Sequence, residues 1–198
     1  TLAVKELISP ITVTYVLCAI GLSVHFGYTG LLNFGQAAFA AIGGYGMAIG
    51  ILTFGWPLWV SAIFALFCSA IFALILGIPT LRLRADYLAI VTIAASEIFR
   101  YFMTTIGFAK VTGGSNGLSQ FGGEFWKLNP LPDMDYGFGP FTYRNDQIFI
   151  MLVGWILVAI CAVLVWLLMR SPWGRVLRGI REDEDAVRSL GKNVFVYK

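Results

Sequence analysis

Between Glu6 and Arg82 the chain carries no Asp, Glu, Lys or Arg, so residues 7–81 form 75 consecutive uncharged positions. A water-soluble fold needs charge on the outward face of its elements, and a chain in hydrocarbon does not. About 20 apolar residues cross the bilayer core once as a helix, so this stretch alone holds roughly three crossings. The remaining composition agrees: 13% of residues are charged and mean hydropathy is +0.78. Soluble domains run near about 25% charged and cannot keep so much apolar surface dry. The expected fold is an all-α, polytopic transmembrane helical bundle.

About five spans are expected, at 8–26, 33–54, 57–78, 87–106 and 147–169. The last is bounded by Asp146 and Arg170 and is long enough to cross with some tilt. Pro57 separates the second and third, and Pro79 ends the third. This divides the chain into a transmembrane domain, 1–169, and a polar segment, 170–198. The polar segment holds seven Lys or Arg, against three in residues 107–146. Basic residues stay on the cytoplasmic side, so the polar segment is expected in the cytoplasm and the 107–146 loop outside. The connection with Arg82 and Arg84 then lies inside and Thr1 outside, unless the Gly-rich stretch 27–36 changes the parity. Lys5 and Glu6 precede a run that spans and lacks a small-residue cleavage site, so the start does not read as a signal peptide.

Several chemistries are excluded. Cys18, Cys68 and Cys161 lie inside apolar runs without metal-ligand or disulfide spacing, which is the placement of packing residues. His25 is the sole histidine and makes no metal site by itself. No Ser/His/Asp or Cys/His arrangement, paired carboxylate or cofactor motif occurs, so the chain is expected to be no enzyme and to need neither metal nor cofactor. The basic residues gather in one terminal segment, which is no nucleic-acid signal. The run Thr112–Gly117 lacks the lysine and hydroxyl of a phosphate-binding loop. With Pro130, Pro132, Gly137, Gly139 and Pro140 it reads as turn chemistry.

Two regions are candidates for function. Residues 27–50 contain seven glycines and five alanines, with Gly46 and Gly50 four apart. One reading is close helix packing in lipid. The other is that Gly27, Tyr28, Thr29, Gly30, Asn33 and Gln36 unwind a helix beside a substrate path. Glu97 and Arg100, three apart, are the charged residues inside a predicted span, and either neutralise each other at a helix end or contact the path. The candidate path is therefore Tyr28, Thr29, Asn33, Gln36, Glu97 and Arg100. In the polar segment Pro172 starts a turn, and Val176, Leu177, Ile180, Ala186, Val187 and Leu190 recur at helical spacing around the acidic run Glu182–Asp185. A short amphipathic helix pair is expected. Its apolar stripe, rimmed by charge, suits a soluble partner, and its arginines equally suit anionic membrane lipid.

Four stretches, in this order, carry a resemblance: GYTGLLNFGQAAFAAIGGYGMAI (27–49), LRLRADYLAIVTIAASEIFR (81–100), VTGGSNGL (111–118) and SPWGRVLRGIREDEDAVRSLGKNVFVYK (171–198). Together they resemble the permease subunits of branched-chain amino acid ABC importers of the LivM type, across nearly the whole chain. The resemblance implies a non-catalytic inner-membrane subunit that builds a pathway with a second, LivH-type permease. It further implies substrate delivered by an extracytoplasmic binding protein and two cytoplasmic ABC ATPase subunits as the motor. Residues 185–191 look like the EAA-x-x-x-G coupling signature, with Asp185 in place of Glu and Val187 in place of the second Ala. Arg181, Glu182, Asp183, Glu184, Asp185, Ala186 and Gly191 are the implied ATPase contacts. The implied substrates are leucine, isoleucine and valine, with urea or a short amide as the alternative and an ion-coupled secondary transporter as the rival class. Such permeases continue with further spans, so Lys198 is expected to be an artificial end. A cysteine placed at Ser115 is expected to react with an impermeant thiol reagent from outside, and labelling only after permeabilisation would overturn the topology.

Overall fold

A computed structural model describes residues 9–80, 85–119, 121–132, 134–136 and 142–197. The expectations for Lys5, Glu6, Arg82, Arg84, Gly137, Gly139, Pro140 and Lys198 lie outside the described residues. The chain forms two compact units, one of residues 1–29 with 128–198 and one of residues 30–127.

In the first unit, α1 (Pro10–Leu22) packs on α7 (Asn145–Arg170). Ser9 caps α1, its Oγ accepting from Thr12 N at 3.4 Å, and Pro10 occupies the first turn, where its missing N–H costs nothing. The helix then widens into a π-helical segment, Ser23–Tyr28. Where α1 meets α7, a Cβ at Gly154 would lie 2.6 Å from Val13 Cγ1, so the glycine sets how close the helices come. Before α7 comes a two-residue hairpin, β1 (Asp135–Tyr136) and β2 (Tyr143–Arg144), paired antiparallel with Asp135 opposite Arg144. Beyond α7 lie α8 (Pro172–Glu182), α9 (Glu184–Ser189) and α10 (Val194–Tyr197), and α8 packs on all its neighbours in this unit: α7, α9, α10 and the π-segment.

The second unit is built on α2 (Gln36–Leu52), α3 (Leu58–Thr80) and α4 (Ala85–Thr104), followed by the short α5 (Ala109–Thr112) and α6 (Gly123–Lys127). Helices α2 and α3 form an antiparallel pair whose seam is made of small residues. A Cβ at Gly46 would lie 3.0 Å from Ala65 Cα, and one at Gly50 would lie 2.7 Å from Ser61 Oγ. Ser61 is fully buried. Lipid supplies no hydrophobic drive for two helices to associate, so contact over a smooth seam of backbone and small side chains takes its place. At the hairpin end, Phe54 stacks on Trp56 and Trp56 meets Phe64 edge-on, with ring centroids 4.8 and 5.3 Å apart.

The outward faces are apolar. Leu66 of α3 is 71% exposed and Ile11 of α1 62% exposed, the pattern of surface that faces hydrocarbon and not water. Among the described residues, four helices are long and apolar enough to cross a membrane: Pro10–Tyr28, Leu58–Thr80, Tyr87–Thr104 and Asn145–Arg170. The second expected span is shorter than drawn, because residues 30–35 are not helical and α2 begins only at Gln36, leaving 17 residues. The third runs two residues past its expected end: Pro79 sits in the last turn, and Thr80 Oγ1 donates back to Leu76 O at 2.5 Å. Pro172 belongs to helix α8 and starts no separate turn, with Ser171 as its cap position.

Replacing Gly50 with Ala is expected to destabilise the protein by about 1–3 kcal/mol through overpacking on Ser61, measured by thermal unfolding in nanodiscs. Gly44→Ala, where a Cβ meets nothing within 4 Å, should be neutral or slightly stabilising. Equal effects would show that the seam does not depend on Gly50.

Candidate functional site

The chain leaves helix at Gly30, which has φ +69, and resumes it at Gln36. The intervening backbone lies against the middle of α4. Phe34 N donates to Thr92 Oγ1 at 3.1 Å, and Gly35 N donates to Asn33 Oδ1 at 2.8 Å. Thr92 is almost fully buried and also donates to Ala89 O at 3.0 Å. A Cβ at Gly35 would lie 3.3 Å from Thr92 O, so the break sits tightly against α4 and a larger residue would have to displace its neighbours slightly. Non-helical backbone within a membrane protein must find internal partners, and Asn33 and Thr92 supply them.

Of the six candidate path residues, the structure brings Asn33 and Gln36 to this break. Glu97 and Arg100 lie on another face of α4. They form an ion pair at 2.8 Å with both side chains more than half exposed, and the guanidinium stands 4.7 Å from the centre of the Tyr101 ring. Tyr28 and Thr29 belong to the first unit, at the end of α1. Thr29 Oγ1 donates to His25 O at 2.5 Å, and Tyr28 lies under Arg178, 6.0 Å from ring centre to guanidinium.

The glycine-rich run after α4 is a turn that closes the helix. Gly113, Gly114 and Gly117 have φ of +73, +57 and +66, where a side chain is strained. Thr112, nearly fully buried, donates to Met103 O at 2.8 Å and Phe108 O at 3.1 Å and accepts from Gly114 N. Through Met103 O it thereby satisfies a carbonyl of the last turn of α4. Further along, Glu124 Oε2 accepts from Leu58 N at 2.7 Å, a carboxylate at the positive end of α3. This puts the start of α3 on the same side as the loop.

The polar segment forms the expected helix pair. Gly174 allows the elbow between α7 and α8, since a Cβ there would lie 2.5 Å from Met169 O. Asp183 caps α9, its Oδ1 accepting from Ala186 N at 2.9 Å, and Arg188 pairs with Glu184 at 2.6 Å. Gly191 ends α9 with φ +77 and donates to Arg188 O at 2.9 Å. Gly179 lets α9 approach, with Val187 Cγ2 3.2 Å from where its Cβ would be. The apolar stripe is divided: Leu177 and Ile180 of α8 are buried, as is Val194 of α10, while Ala186 and Leu190 of α9 are exposed. The outward surface holds Arg181, Glu182, Asp183, Asp185 and Arg188 around Ala186 and Leu190, so charge predominates on the side that faces away from the unit.

Sequence reasoning missed the hydroxyl and amide partners. Thr92 and Thr112 look like any helix-compatible threonine. Asn145 is buried at the start of α7, where it donates to Leu131 O and Pro132 O at 3.3 Å each and accepts from Asn129. A polar residue near a predicted span end is a signal for Thr112 and Asn145, and Thr92, in mid-span, carries none.

Thr92→Val keeps the shape of the side chain but removes the acceptor of Phe34 N–H, at an expected cost of about 1–3 kcal/mol. Amide exchange at Phe34 should accelerate selectively in hydrogen-exchange measurements. Unchanged exchange there would mean that another group holds the break.

Comparison with known proteins follows the same lines. The chain is 38% identical to the high-affinity branched-chain amino acid transport system permease protein LivM of Salmonella typhimurium, over 93% of its own length and 45% of that protein's. It is 37% identical to the protein of that name in Escherichia coli, over 93% and 45%. It is 30% identical to a probable branched-chain amino acid transport permease protein LivM of Methanocaldococcus jannaschii, over 91% and 57%. The chain thus spans about half the length of these relatives. No solved structure matches it. The family described as "Branched-chain amino acid transport system / permease component" matches residues 8–198, and the chain, a membrane protein with several spanning helices, belongs to that family.

Proposed function

We propose that the chain is part of the permease subunit of an ATP-driven importer that carries leucine, isoleucine and valine across the plasma membrane. The subunit performs no catalysis. Residues 170–198 face the cytoplasm, and residues 107–146 face outside, where a substrate-binding protein docks. A second, LivH-type permease completes the pathway, and two ABC ATPases hydrolyse ATP below it.

The observation that carries this reading is the α8–α9 pair. Leu177 and Ile180 anchor α8 to its own unit, while Asp183 and Gly191 fix the two ends of α9. A rigid, outward-facing helix on a short lever is what a coupling element needs, because a force applied to it must move the spans and not unwind the segment. Arg181, Glu182, Asp183, Glu184, Asp185, Ala186 and Gly191 are the assigned ATPase contacts. The broken stretch at Asn33 and Gln36, beside Thr92, supports a pathway position for those two residues. Glu97 and Arg100, paired and exposed, suit the rim of the pathway or a contact with the second permease.

The test is uptake of labelled leucine, and separately of urea, into proteoliposomes holding the full-length protein with its genomic-neighbour permease, ATPases and binding protein. ATP-dependent leucine uptake is expected. ATP-dependent urea uptake would keep the mechanism and change the substrate, and ion-driven uptake without ATP would overturn the mechanism. Gly191→Val forces a β-branched side chain into a left-handed backbone, a strain of about 1–3 kcal/mol. It should cut uptake per ATP hydrolysed with membrane insertion intact; undiminished coupling would remove Gly191 from the coupling element.

A further inference from the structure

The end of the first span is held from outside its own helix. Arg181 Nη1 donates to Gly27 O at 2.5 Å across 154 positions of sequence. Three residues earlier on the same face of α8, Arg178 stands over the Tyr28 ring at 6.0 Å and donates from Nη2 to Met169 O at 2.8 Å. One pair of arginines therefore ties α8 both to the last turn of α7 and to the last turn of the first span. The carbonyls of a helix's last turn have no partner within the helix, and a guanidinium is well suited to take them because it offers several donors in a fixed plane.

What the arginines hold is not ordinary helix. Residues Ser23–Tyr28 are wound as a π-helix, a form rare in proteins and found mostly as single turns at functional positions. A π-turn holds one residue more than an α-turn, and both satisfy their backbone groups. Passing between them slips the helix by one residue, which rotates everything on one side of the segment by about 100° relative to the other. His25 lies inside this segment, and its carbonyl accepts from both the N–H and the hydroxyl of Thr29, so the segment has its own stop.

We propose that Arg178 and Arg181 are positioning residues that fasten α8 to the π-segment, so that displacement of α8 and α9 by a cytoplasmic partner reaches the first span as a change between π and α winding. This rests on the importer reading for the identity of the partner, but the fastening itself does not. Contact is already made at the π-segment and the α7 end, while Glu182, Asp183 and Asp185, where α8 meets α9, are exposed to a partner. Arg181 accordingly acts on the span and not only on the ATPase.

The experiment uses the full-length permease in its assembled complex, with Arg181→Gln, Arg181→Lys and Tyr28→Leu. In nanodiscs without ATP, hydrogen exchange over residues 24–29 should rise about tenfold or more in Arg181→Gln, with residues 13–22 as protected as before. Arg181→Lys, which keeps one charged donor, should show a smaller rise. In proteoliposomes, leucine uptake per ATP hydrolysed should fall about tenfold in Arg181→Gln and recover at least half in Arg181→Lys. Unchanged exchange overturns the fastening. Raised exchange with uptake per ATP intact overturns the transmission and leaves a structural tie. Should Arg181→Gln fail to assemble, Tyr28→Leu removes the ring and spares the Gly27 contact, and it must reproduce a smaller rise and a smaller uncoupling or the proposal falls. If the unaltered complex shows no ATP-driven uptake, the importer reading fails and the transmission step with it, while the exchange data still decide the fastening.

Discussion

Inside hydrocarbon no water is at hand to take up the N–H and C=O groups of a peptide chain, and each one left bare costs several kcal/mol. This constraint arranges the chain more firmly than any single contact. Where the backbone departs from α-helix, a side chain replaces the missing water: Thr92 and Asn33 at the break before α2, Thr112 at the end of α4, Asn145 at the start of α7, Arg181 at the end of the first span. Among the described residues, no buried side-chain nitrogen or oxygen lacks a partner. The breaks are thus supported features of the fold. That is the condition under which irregular backbone persists at membrane depth.

The same solvent removes the usual reason for helices to associate, since their apolar faces are as content with lipid as with each other. Close helix contacts in both units are accordingly made by glycine. Gly46 and Gly50 meet Ala65 and Ser61 in one unit, and Gly154 meets Val13 in the other. Each glycine brings two backbones to a separation at which many weak dispersion contacts add up. Bulk is spent on the outside, where leucine, isoleucine and phenylalanine face the acyl chains.

Much of this was legible in the sequence. An uncharged run of 75 residues dictates spans, and the arginines after Met169 dictate where the spans stop. The small-residue reading of Gly46 and Gly50 proved to be packing. The periodic apolar positions after Pro172 proved to be a helix pair. What was not legible depends on pairs of residues far apart. Nothing local tells that Thr92 receives Phe34, that Glu124 caps α3, or that Arg181 reaches Gly27. The apolar stripe of α8 misled for a related reason: periodicity reveals that a face is apolar but not which surface covers it, and here the chain covers Leu177 and Ile180 itself. The helical state of residues 27–36 was open because glycine permits both continuation and break. The π-segment, which ends at Tyr28, has no sequence signature at all.

The self-covering of that stripe bears on how the segment meets anything else. With Leu177 and Ile180 spoken for, the α8–α9 surface offers Glu182, Asp183, Asp185 and Arg188 to its surroundings, with Leu190 as the large apolar side chain among them. Attraction between such groups and an opposite pattern acts over about 8 Å at physiological ionic strength and raises the rate of encounter more than the depth of binding. A joint of this kind forms fast, releases readily and loosens with salt, whereas one closed by leucines would hold through a working cycle. Repeated engagement, in which the two sides part and meet again with every stroke, is the regime that a charged joint permits.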